Sequence, residues 1–313
     1  MSAKLPASRA VLLLASAVLL SLAAAMPALA QADDQQDDQD QDVPKYPTTE
    51  FAEGAKSASV TVGDVTAGVT EERRKEIDPS FDVPVLEVSV GGKRVFEVAG
   101  ISSGSDMPAA GASIAEMDPG NQHAEVYFAS YSGGAHCCTK VIVAEEVGSK
   151  WVSVDVGDFD GDGNYLDDLD GDGLAEIVTV DNRFLYQFDC YACSAAPLVI
   201  YTVRGGKVVD ETADPKFIPA HRDWLKRMEA DTDPEDRWTS PGFLAGWVAA
   251  KARVGEGADA MKQLRDHWDS TSDVGEEVCS TGGDVQSCAK KNRVIMKFPD
   301  RLQLFLQQAG YPL

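Results

Sequence analysis

Apolar and polar residues alternate along residues 58 to 210, which predicts β-structure over this part of the chain. The clearest case runs from Val83 to Val98, where the alternation continues on both sides of Gly91-Gly92. A two-glycine break between alternating runs is typical of a tight β-hairpin. Further strands are predicted at Glu125 to Ser130, Lys140 to Glu145, Trp151 to Val156, Glu176 to Val180, Leu198 to Val203 and Lys207 to Asp210.

From about Pro219 the apolar residues recur at helical spacing instead. Ser240-Pro241 is a helix-start signal, and Gly255-Glu256-Gly257 separates two of the predicted helices. We therefore predict a small helical region that packs on the β-structure. Its apolar stripes contain Phe243, Leu244, Trp247 and Val248, then Met261, Leu264 and Trp268, and finally Phe298, Leu302, Phe305 and Ala309.

Two stretches of the β region have the same order of features: a loop, a strand, a pair of cysteines, a second strand, a turn and a third strand. Glu125 and Glu176 begin the first strand of each stretch and stand 51 positions apart, whereas Lys150 and Lys207 begin the third strands and stand 57 apart. A repeat of about this length is typical of propellers, solenoids and arrays. The match is degenerate, and chance similarity between two β-meanders is the alternative.

The first 30 residues have the pattern of a cleavable signal peptide. Lys4 and Arg9 provide positive charge, residues 10–25 are small or apolar, and Ala28-Leu29-Ala30 is a small-x-small cleavage site. The apolar run is shorter than the ~20 residues that span a bilayer. We therefore predict a periplasmic or extracellular protein cleaved after Ala30, with no stable membrane span afterwards.

Residues 31–42 contain only Asp, Gln and one Ala, which predicts a disordered acidic linker over residues 31–50. Without the signal the chain has 26 Lys and Arg against 51 Asp and Glu, a net charge of −25. A net charge this negative argues against nucleic acid and anionic lipid as partners, because both are themselves negatively charged. A protein or carbohydrate of the cell envelope is the expected partner class.

Six cysteines follow the signal, and an even number in an oxidising compartment predicts disulfides. Cys279 and Cys288 are close in sequence and form the expected first pair. If the two β stretches are repeats, their cysteines occupy equivalent places on adjacent sheets, which favours bonds between the clusters. Those clusters are Cys137 with Cys138 and Cys190 with Cys193.

Eight of the nineteen residues from Asp158 to Glu176 are acidic, none is basic, and four glycines are interspersed. In the second half of this run, Asp168, Asp170 and Asp172 occupy alternate positions, and Gly173 allows the bend that follows. Ca²⁺ prefers such carboxylate and carbonyl oxygens. The residues predict a calcium loop with ligands from Asp168, Asp170, Asp172, the Leu174 carbonyl and Glu176. The alternative is a solvated acidic turn.

The first half of the run predicts a secondary calcium site. Asp158, Asp160 and Asp162 repeat the start of the pattern, but the ninth position is Leu166, with Asp167 one residue late. If the motif instead begins at Asp160, Asn164 becomes a ligand and Asp168 takes the ninth position, but Tyr165 then stands at the position where glycine is preferred. This loop therefore either binds more weakly or shares Asp168 with the second loop, and its candidate ligands are Asp158, Asp160, Asp162, Asn164 and Asp167.

The pattern D-x-D-G-D-G-x-x-E-I-V, which begins at Asp168 and leads into a strand, resembles the FG-GAP (VCBS-like) calcium-binding β-repeat. That repeat forms propeller blades in integrin α-chains and many bacterial secreted proteins. The resemblance extends from Trp151 to Asp210, and the FG and GAP elements themselves are not evident. It implies structural calcium at the loop of Asp168 to Glu176. The other copy, Asp118-Pro119-Gly120-Asn121, lacks the carboxylate series and is expected to bind nothing.

The resulting fold prediction is mainly β, made of propeller-blade-like antiparallel repeats, with an α-helical C-terminal region. Closing a propeller takes at least about four blades, so an open or sandwich-like assembly is expected. The predicted boundaries are 1–30 for the signal, 31–50 for the linker, 51–215 for the β-repeat domain and 216–313 for the helical region.

Catalytic chemistry has few candidates in this sequence. His136 and Cys137 could form a nucleophile pair, or a metal site with Cys190 and Cys193, but adjacent strand residues point to opposite faces. Cys190-x-x-Cys193 could be a redox pair, and structural disulfides are the preferred interpretation for all six cysteines. The predicted function is a calcium-binding module of the cell envelope. The alternatives are an envelope hydrolase with structural calcium and an inhibitor or accessory protein of an envelope enzyme.

Overall fold

The computed structural model describes residues 45–51, 55–105, 109–134 and 138–313. The predicted signal peptide and most of the predicted linker lie outside the described residues, as do His136 and Cys137. The strands are β1 (Thr48–Glu50), β2 (Ser57–Val62), β3 (Val65–Glu72), β4 (Val83–Val90), β5 (Lys93–Ala99), β6 (Ala110–Ala115), β7 (Glu125–Tyr131), β8 (Thr139–Val147), β9 (Lys150–Phe159), β10 (Leu166–Asp167), β11 (Glu176–Val180), β12 (Leu198–Arg204), β13 (Lys207–Asp210), β14 (Gly275–Cys279) and β15 (Arg293–Lys297). The helices are α1 (Ile218–Ala230), α2 (Pro241–Arg253), α3 (Gly257–His267) and α4 (Phe298–Gln308).

The first thirteen strands form three antiparallel sheets, in which strands that follow each other in the chain pair, except that β1 pairs with β6. Strands β2 to β5 form the N-terminal sheet, β1 and β6 to β9 form the central sheet, and β10 to β13 form the third sheet. Gly91 and Gly92 both adopt positive φ in the turn between β4 and β5, the conformation that such a two-residue turn requires. The mainly β fold with a C-terminal helical region is thus as predicted.

The central sheet is covered on both faces, because alternate residues of its strands enter two different cores. Val126 and Phe128 of β7 pack with Leu86 of the N-terminal sheet. The intervening Tyr127 packs with Ile177 of the third sheet. The residues from Glu125 to Ser130 are therefore all buried, which explains why β7 is apolar on both sides.

Two adjacent carboxylates of β8 connect the central sheet to its two neighbours. Glu145 is fully buried and accepts hydrogen bonds from the backbone N–H groups of Gly205 and Gly206, at 2.7 and 2.6 Å, in the β12–β13 turn. Glu146 lies 2.8 Å from Nδ1 of His123, whose Nε2 lies 3.5 Å from Asp64 in the β2–β3 turn. Successive strand residues point to opposite faces, so Glu145 contacts the third sheet directly, whereas Glu146 is connected to the N-terminal sheet through His123 of the β6–β7 loop.

The helices share one apolar core with the connection between β11 and β12. Ten of the thirteen residues of α2 are buried, and its core includes Phe184 and Ala196 from that connection. Ser240 accepts a hydrogen bond from the Phe243 N–H, so it caps α2 as the sequence indicated. Among the helices of the described residues, none is long and apolar enough to cross a membrane.

Two predictions about the chain's organisation were wrong. The linker does not extend to residue 50, because β1 pairs with β6 and places Thr48 opposite Ser113. The cysteines at 190 and 193 do not bond to the other cluster, because a single helical turn over Tyr191–Cys193 brings them together and they form a disulfide. The predicted Cys279–Cys288 bond is present, and Cys138 is also disulfide-bonded.

Candidate metal site

The loop between β10 and β11 brings the ends of the predicted calcium motif together. Asp167 of β10 pairs with Glu176 of β11 in an antiparallel register, so the residues of the loop between them must turn back on themselves. Gly171 and Gly173 both have positive φ in this loop. Strand pairing therefore places Asp168 beside Glu176, although they are eight positions apart in the sequence.

Three of the predicted ligands form a compact group. One carboxylate oxygen from each of Asp168, Asp170 and Glu176 lies within 4.8 Å of the others. Asp172 is outside this group, and its Oδ1 accepts a hydrogen bond of 2.8 Å from the Leu174 N–H. The donor set is composed of oxygens alone, which suits a hard cation such as Ca²⁺.

Backbone N–H groups hold two of these carboxylates in place. The two oxygens of Asp168 accept from Gly171 and Gly173, at 2.8 and 3.2 Å. Oε2 of Glu176 accepts a 2.9 Å hydrogen bond from Leu169. Each of these carboxylates keeps unused acceptor capacity, since an ionised carboxylate has about four lone-pair sites.

Lys216 supplies positive charge to the same group. Its Nζ lies 3.0 Å from Asp170, 3.9 Å from Glu176 and 3.4 Å from Glu211. Lys45 lies on the other side, 2.6 Å from Asp167 and 3.1 Å from the Asp168 carbonyl. Neither lysine was predicted from the sequence, because each is distant in the chain from the carboxylates that it contacts.

The electrostatics of the site reflect its burial and its charge. Burial raises the pKa of Glu176 to about 7. Burial also opposes ionisation of Asp170, yet the contact with Lys216 holds the pKa of that carboxyl below its ordinary value. Tyr46 has a pKa raised to about 12 by burial and by the charge of Asp168, and its buried Oη has no hydrogen-bond partner among the described residues. An anionic, partly dehydrated pocket of this kind favours a cation.

The first acidic loop has a different organisation. Its backbone is held by aromatic and hydroxyl side chains: Tyr127 donates to the Gly163 carbonyl at 2.6 Å, and Thr139 donates to the Gly161 carbonyl at 2.6 Å. Tyr165, which stands where the motif prefers glycine, is buried and donates to the Asp160 carbonyl at 2.7 Å.

The predicted secondary ligands are correspondingly dispersed. Among the described residues, the first loop contributes no group of three metal-ligating side chains. Asp158 lies on β9 within 4.0 Å of Lys140, Asp160 accepts from the Tyr191 hydroxyl, Asp162 accepts from the Asn164 N–H, and Asp167 contacts Lys45.

Comparisons with known proteins place the chain in a family. The chain is 38% identical over 259 residues to the probable thylakoid lumen protein sll0997 of Synechocystis sp., and the match covers 82% of this chain and 76% of that protein. The chain belongs to the sll0997 family. The family model for the sll0997 C-terminal domain matches residues 221–310, which include α2, α3 and α4.

A second relative of this sll0997-family chain is the uncharacterized protein y4bJ of Sinorhizobium fredii. It is 35% identical over 189 residues, and the match covers 60% of this chain and 30% of y4bJ. The chain thus spans less than a third of that relative's length. No solved structure matches the chain.

Glu125 is a candidate that was not predicted from the sequence of this sll0997-family chain. It begins β7, as Glu176 begins β11, and so holds the equivalent position after the β6–β7 loop. Its Oε2 accepts from Met117 at 2.6 Å and from Asp118 at 3.1 Å, as Glu176 accepts from Leu169. Its Oε1 accepts from the Asn121 side chain at 2.5 Å. Burial raises the pKa of Glu125 to about 7. The 51-residue repeat was the signal that could have identified it.

Proposed function

We propose that the chain is an exported, calcium-stabilised β protein that acts as a binding or structural module outside the cytoplasm. Two findings support export. The N-terminal 30 residues have a signal-peptide pattern, and a relative matched over 76% of its own length is described as a probable thylakoid lumen protein. Periplasm or extracellular space is the proposed destination.

The observation that carries the calcium proposal is the group of Asp168, Asp170 and Glu176, whose oxygens lie within 4.8 Å of one another. These residues would hold the ion, together with the Leu174 carbonyl and Asp172 after a side-chain rotation. The resemblance of this loop to the FG-GAP repeat supports the same proposal. Bound calcium would neutralise the carboxylates and stabilise the loop.

The role of this ion would be structural, because of where the loop lies. It joins β10 to β11, and the Glu116 carbonyl in the central sheet's β6–β7 loop accepts a 2.7 Å hydrogen bond from Ala175. Stabilising the loop would therefore stabilise the contact between the central and third sheets. A rigid sheet stack with a net negative surface is suited to binding another molecule of the envelope.

Thermal unfolding of residues 31–313 tests the calcium proposal. Calcium at 100 times its Kd should stabilise the protein by about 2.7 kcal/mol and raise Tm by roughly 5 to 10 °C for a chain of this size. Isothermal titration calorimetry should detect the binding directly, with Mg²⁺ as the comparison ion.

Matched variants locate the site. Asp170→Asn should abolish the calcium-dependent rise in Tm, whereas Asp158→Asn in the first loop should retain it. An unchanged Tm in calcium, with no heat of binding, would refute the calcium proposal. Export is tested separately: cell fractionation and N-terminal sequencing should find a chain that begins at residue 31, and a cytoplasmic chain retaining residues 1–30 would contradict it.

A further inference from the structure

The disulfide between Cys190 and Cys193 lies on the surface, in a turn that keeps its shape through its own hydrogen bonds. Both cysteines are exposed. The Cys193 N–H donates to the Cys190 carbonyl at 3.1 Å, and the Ser194 hydroxyl donates to the same carbonyl at 2.9 Å. The Tyr186 N–H in turn donates to Ser194 Oγ at 3.2 Å. These hydrogen bonds hold the backbone of the turn independently of the disulfide, so the two cysteine Cα atoms should stay close together after reduction.

The N-terminal end of α2 packs against the same turn. A Cβ atom at Gly242 would lie 2.2 Å from the Cys193 carbonyl oxygen, so only glycine permits this approach. Gly242 lies in the first turn of α2, where the helix dipole presents partial positive charge. The backbone of Cys193 is thus held against the first turn of α2, which fixes the position of the turn that carries the disulfide.

The other disulfide seen in full offers a contrast within the same chain. Cys288 is buried at 8% exposure and Cys279, the last residue of β14, is partly buried, so their bond is less accessible than Cys190–Cys193. The bond joins residues nine positions apart, beside the ribbon in which β14 pairs with β15. An attacking thiolate must reach a sulfur atom, so access helps to decide which disulfide exchanges. Buried structural bonds resist reduction, whereas exposed bonds are the labile ones.

We propose that Cys190–Cys193 is a thiol–disulfide exchange site that accepts two electrons from a dithiol. A thiolate of the incoming dithiol attacks one Sγ, forms a mixed disulfide and releases the other cysteine as a thiolate, which takes up a proton. The second thiol of the reductant, after losing its proton, attacks the mixed disulfide and releases the remaining cysteine. The dithiol becomes a disulfide, and Cys190 and Cys193 become two thiols. This proposal is independent of calcium binding.

Asp189 sets the reactivity of the pair. One of its carboxylate oxygens lies within 4.8 Å of both sulfur atoms, and its Oδ1 accepts a 2.8 Å hydrogen bond from the Cys190 N–H. A negative charge at this distance repels the incoming thiolate and disfavours the departing one. Asp189 is therefore a positioning residue that slows exchange and keeps the pair oxidised.

The experiment compares the two disulfides in the folded chain of residues 31–313. The protein is treated with dithiothreitol under native conditions, free thiols are alkylated at intervals, and peptide mass spectrometry follows each cysteine pair. Cys190–Cys193 should be reduced at least about tenfold faster than Cys279–Cys288. It should re-form after removal of the reductant, with an unchanged circular dichroism spectrum.

A charge variant separates an exchange site from a merely accessible bond. Asp189→Asn should speed the reduction of Cys190–Cys193 by at least about threefold, and the exposed control Glu76→Gln should leave the rate unchanged. Equal reduction rates for the two disulfides, or reduction of Cys190–Cys193 only in urea concentrations that unfold the protein, would overturn the proposal. An unchanged rate in Asp189→Asn would also overturn the role of Asp189.

Discussion

Replacing Lys216 with glutamine is expected to destabilise the calcium-free protein and to tighten its binding of calcium. The Lys216 ammonium lies 3.0 Å from Asp170 and 3.9 Å from Glu176. It therefore offsets the repulsion among carboxylates that would otherwise face one another. The same position makes it a competitor of any cation that binds those oxygens, so its loss should have opposite effects in the two states.

The magnitude follows from the separation and the exposure of the charges. Two unit charges 4 Å apart interact by about 1 kcal/mol in water and about 4 kcal/mol at an effective dielectric constant of 20. The Lys216 side chain is 29% exposed, so solvent screening and side-chain entropy reduce the net value. We expect Lys216→Gln to lower the free energy of unfolding without calcium by about 1 kcal/mol.

The effect on calcium should be larger, because a divalent ion carries twice the charge. At about 4 Å in water the repulsion by one ammonium is about 2 kcal/mol, so its removal should tighten calcium binding roughly tenfold to thirtyfold. Because salt screens charges that are partly exposed, the gain should shrink between about 50 mM and 500 mM sodium chloride.

Calorimetric titration with calcium measures the affinity, and urea unfolding in the presence of a chelator measures the stability. Lys216→Arg keeps the charge and should bind calcium much as the wild type does. Lys226→Gln removes an exposed charge that pairs with Asp223, and it should leave the affinity unchanged. The reasoning fails if Lys216→Gln binds calcium no more tightly than wild type, or if Lys226→Gln shows the same gain.

Two further predictions concern the buried carboxylate and the helix contact. Burial raises the pKa of Glu125 from 4.5 to about 7. Between these pH values the folded chain keeps a proton on Glu125 that the unfolded chain has released. The free energy of unfolding therefore falls as the pH rises through this window. Glu125→Gln should remove up to about 3 kcal/mol of this pH-dependent loss of stability, as measured by urea unfolding at several pH values. If the free energy of unfolding of the variant depends on pH as it does in the wild type, the prediction is wrong. Gly246→Ala should destabilise by about 1 to 3 kcal/mol, since its Cβ would lie 2.3 Å from the Ala195 carbonyl oxygen. Gly68→Ala, with 3.9 Å to its nearest neighbour, is the control, and equal losses for both would refute the steric argument.

The strands that the sequence revealed are those with strong alternation or clear turns. The hairpin around Gly91 and Gly92 was predicted because two glycines interrupt an alternating apolar and polar run, and in the structure both take the positive φ that the turn requires. β6 was missed because Ala110–Ala115 is made mostly of small residues, which bury little apolar area. The β14–β15 ribbon was missed for a related reason, since its exposed strands have no buried face to produce a pattern.

The candidate metal site was predictable only in its local part. Asp168, Asp170 and Glu176 belong to one loop, and the positions of the glycines indicated that the loop closes on itself. Lys216 and Tyr46 enter the site from distant parts of the chain, and such contacts depend on how the sheets pack. No local pattern signals them.

The disulfide prediction shows how an analogy between repeats can mislead. Equivalent places on adjacent sheets suggested bonds between the clusters, but the spacing of Cys190 and Cys193 allows one helical turn to bring them within bonding distance, with Cα atoms 5.0 Å apart. The two cysteines of this short turn are therefore nearer to each other in sequence than to the other cluster, and the local geometry explains the pairing.

The paired carboxylates Glu145 and Glu146 have a consequence for how the molecule unfolds. Both carboxylates lie near the C-terminal end of β8, which is thereby connected to both outer sheets. The central sheet also has an apolar core on each face. Opening the third sheet breaks the buried contact of Glu145, and opening either outer sheet exposes apolar surface of the central sheet. Regions with many buried apolar contacts open at high free-energy cost, so we expect the three sheets to unfold together and partially opened states with an unpaired, aggregation-prone face to be scarce.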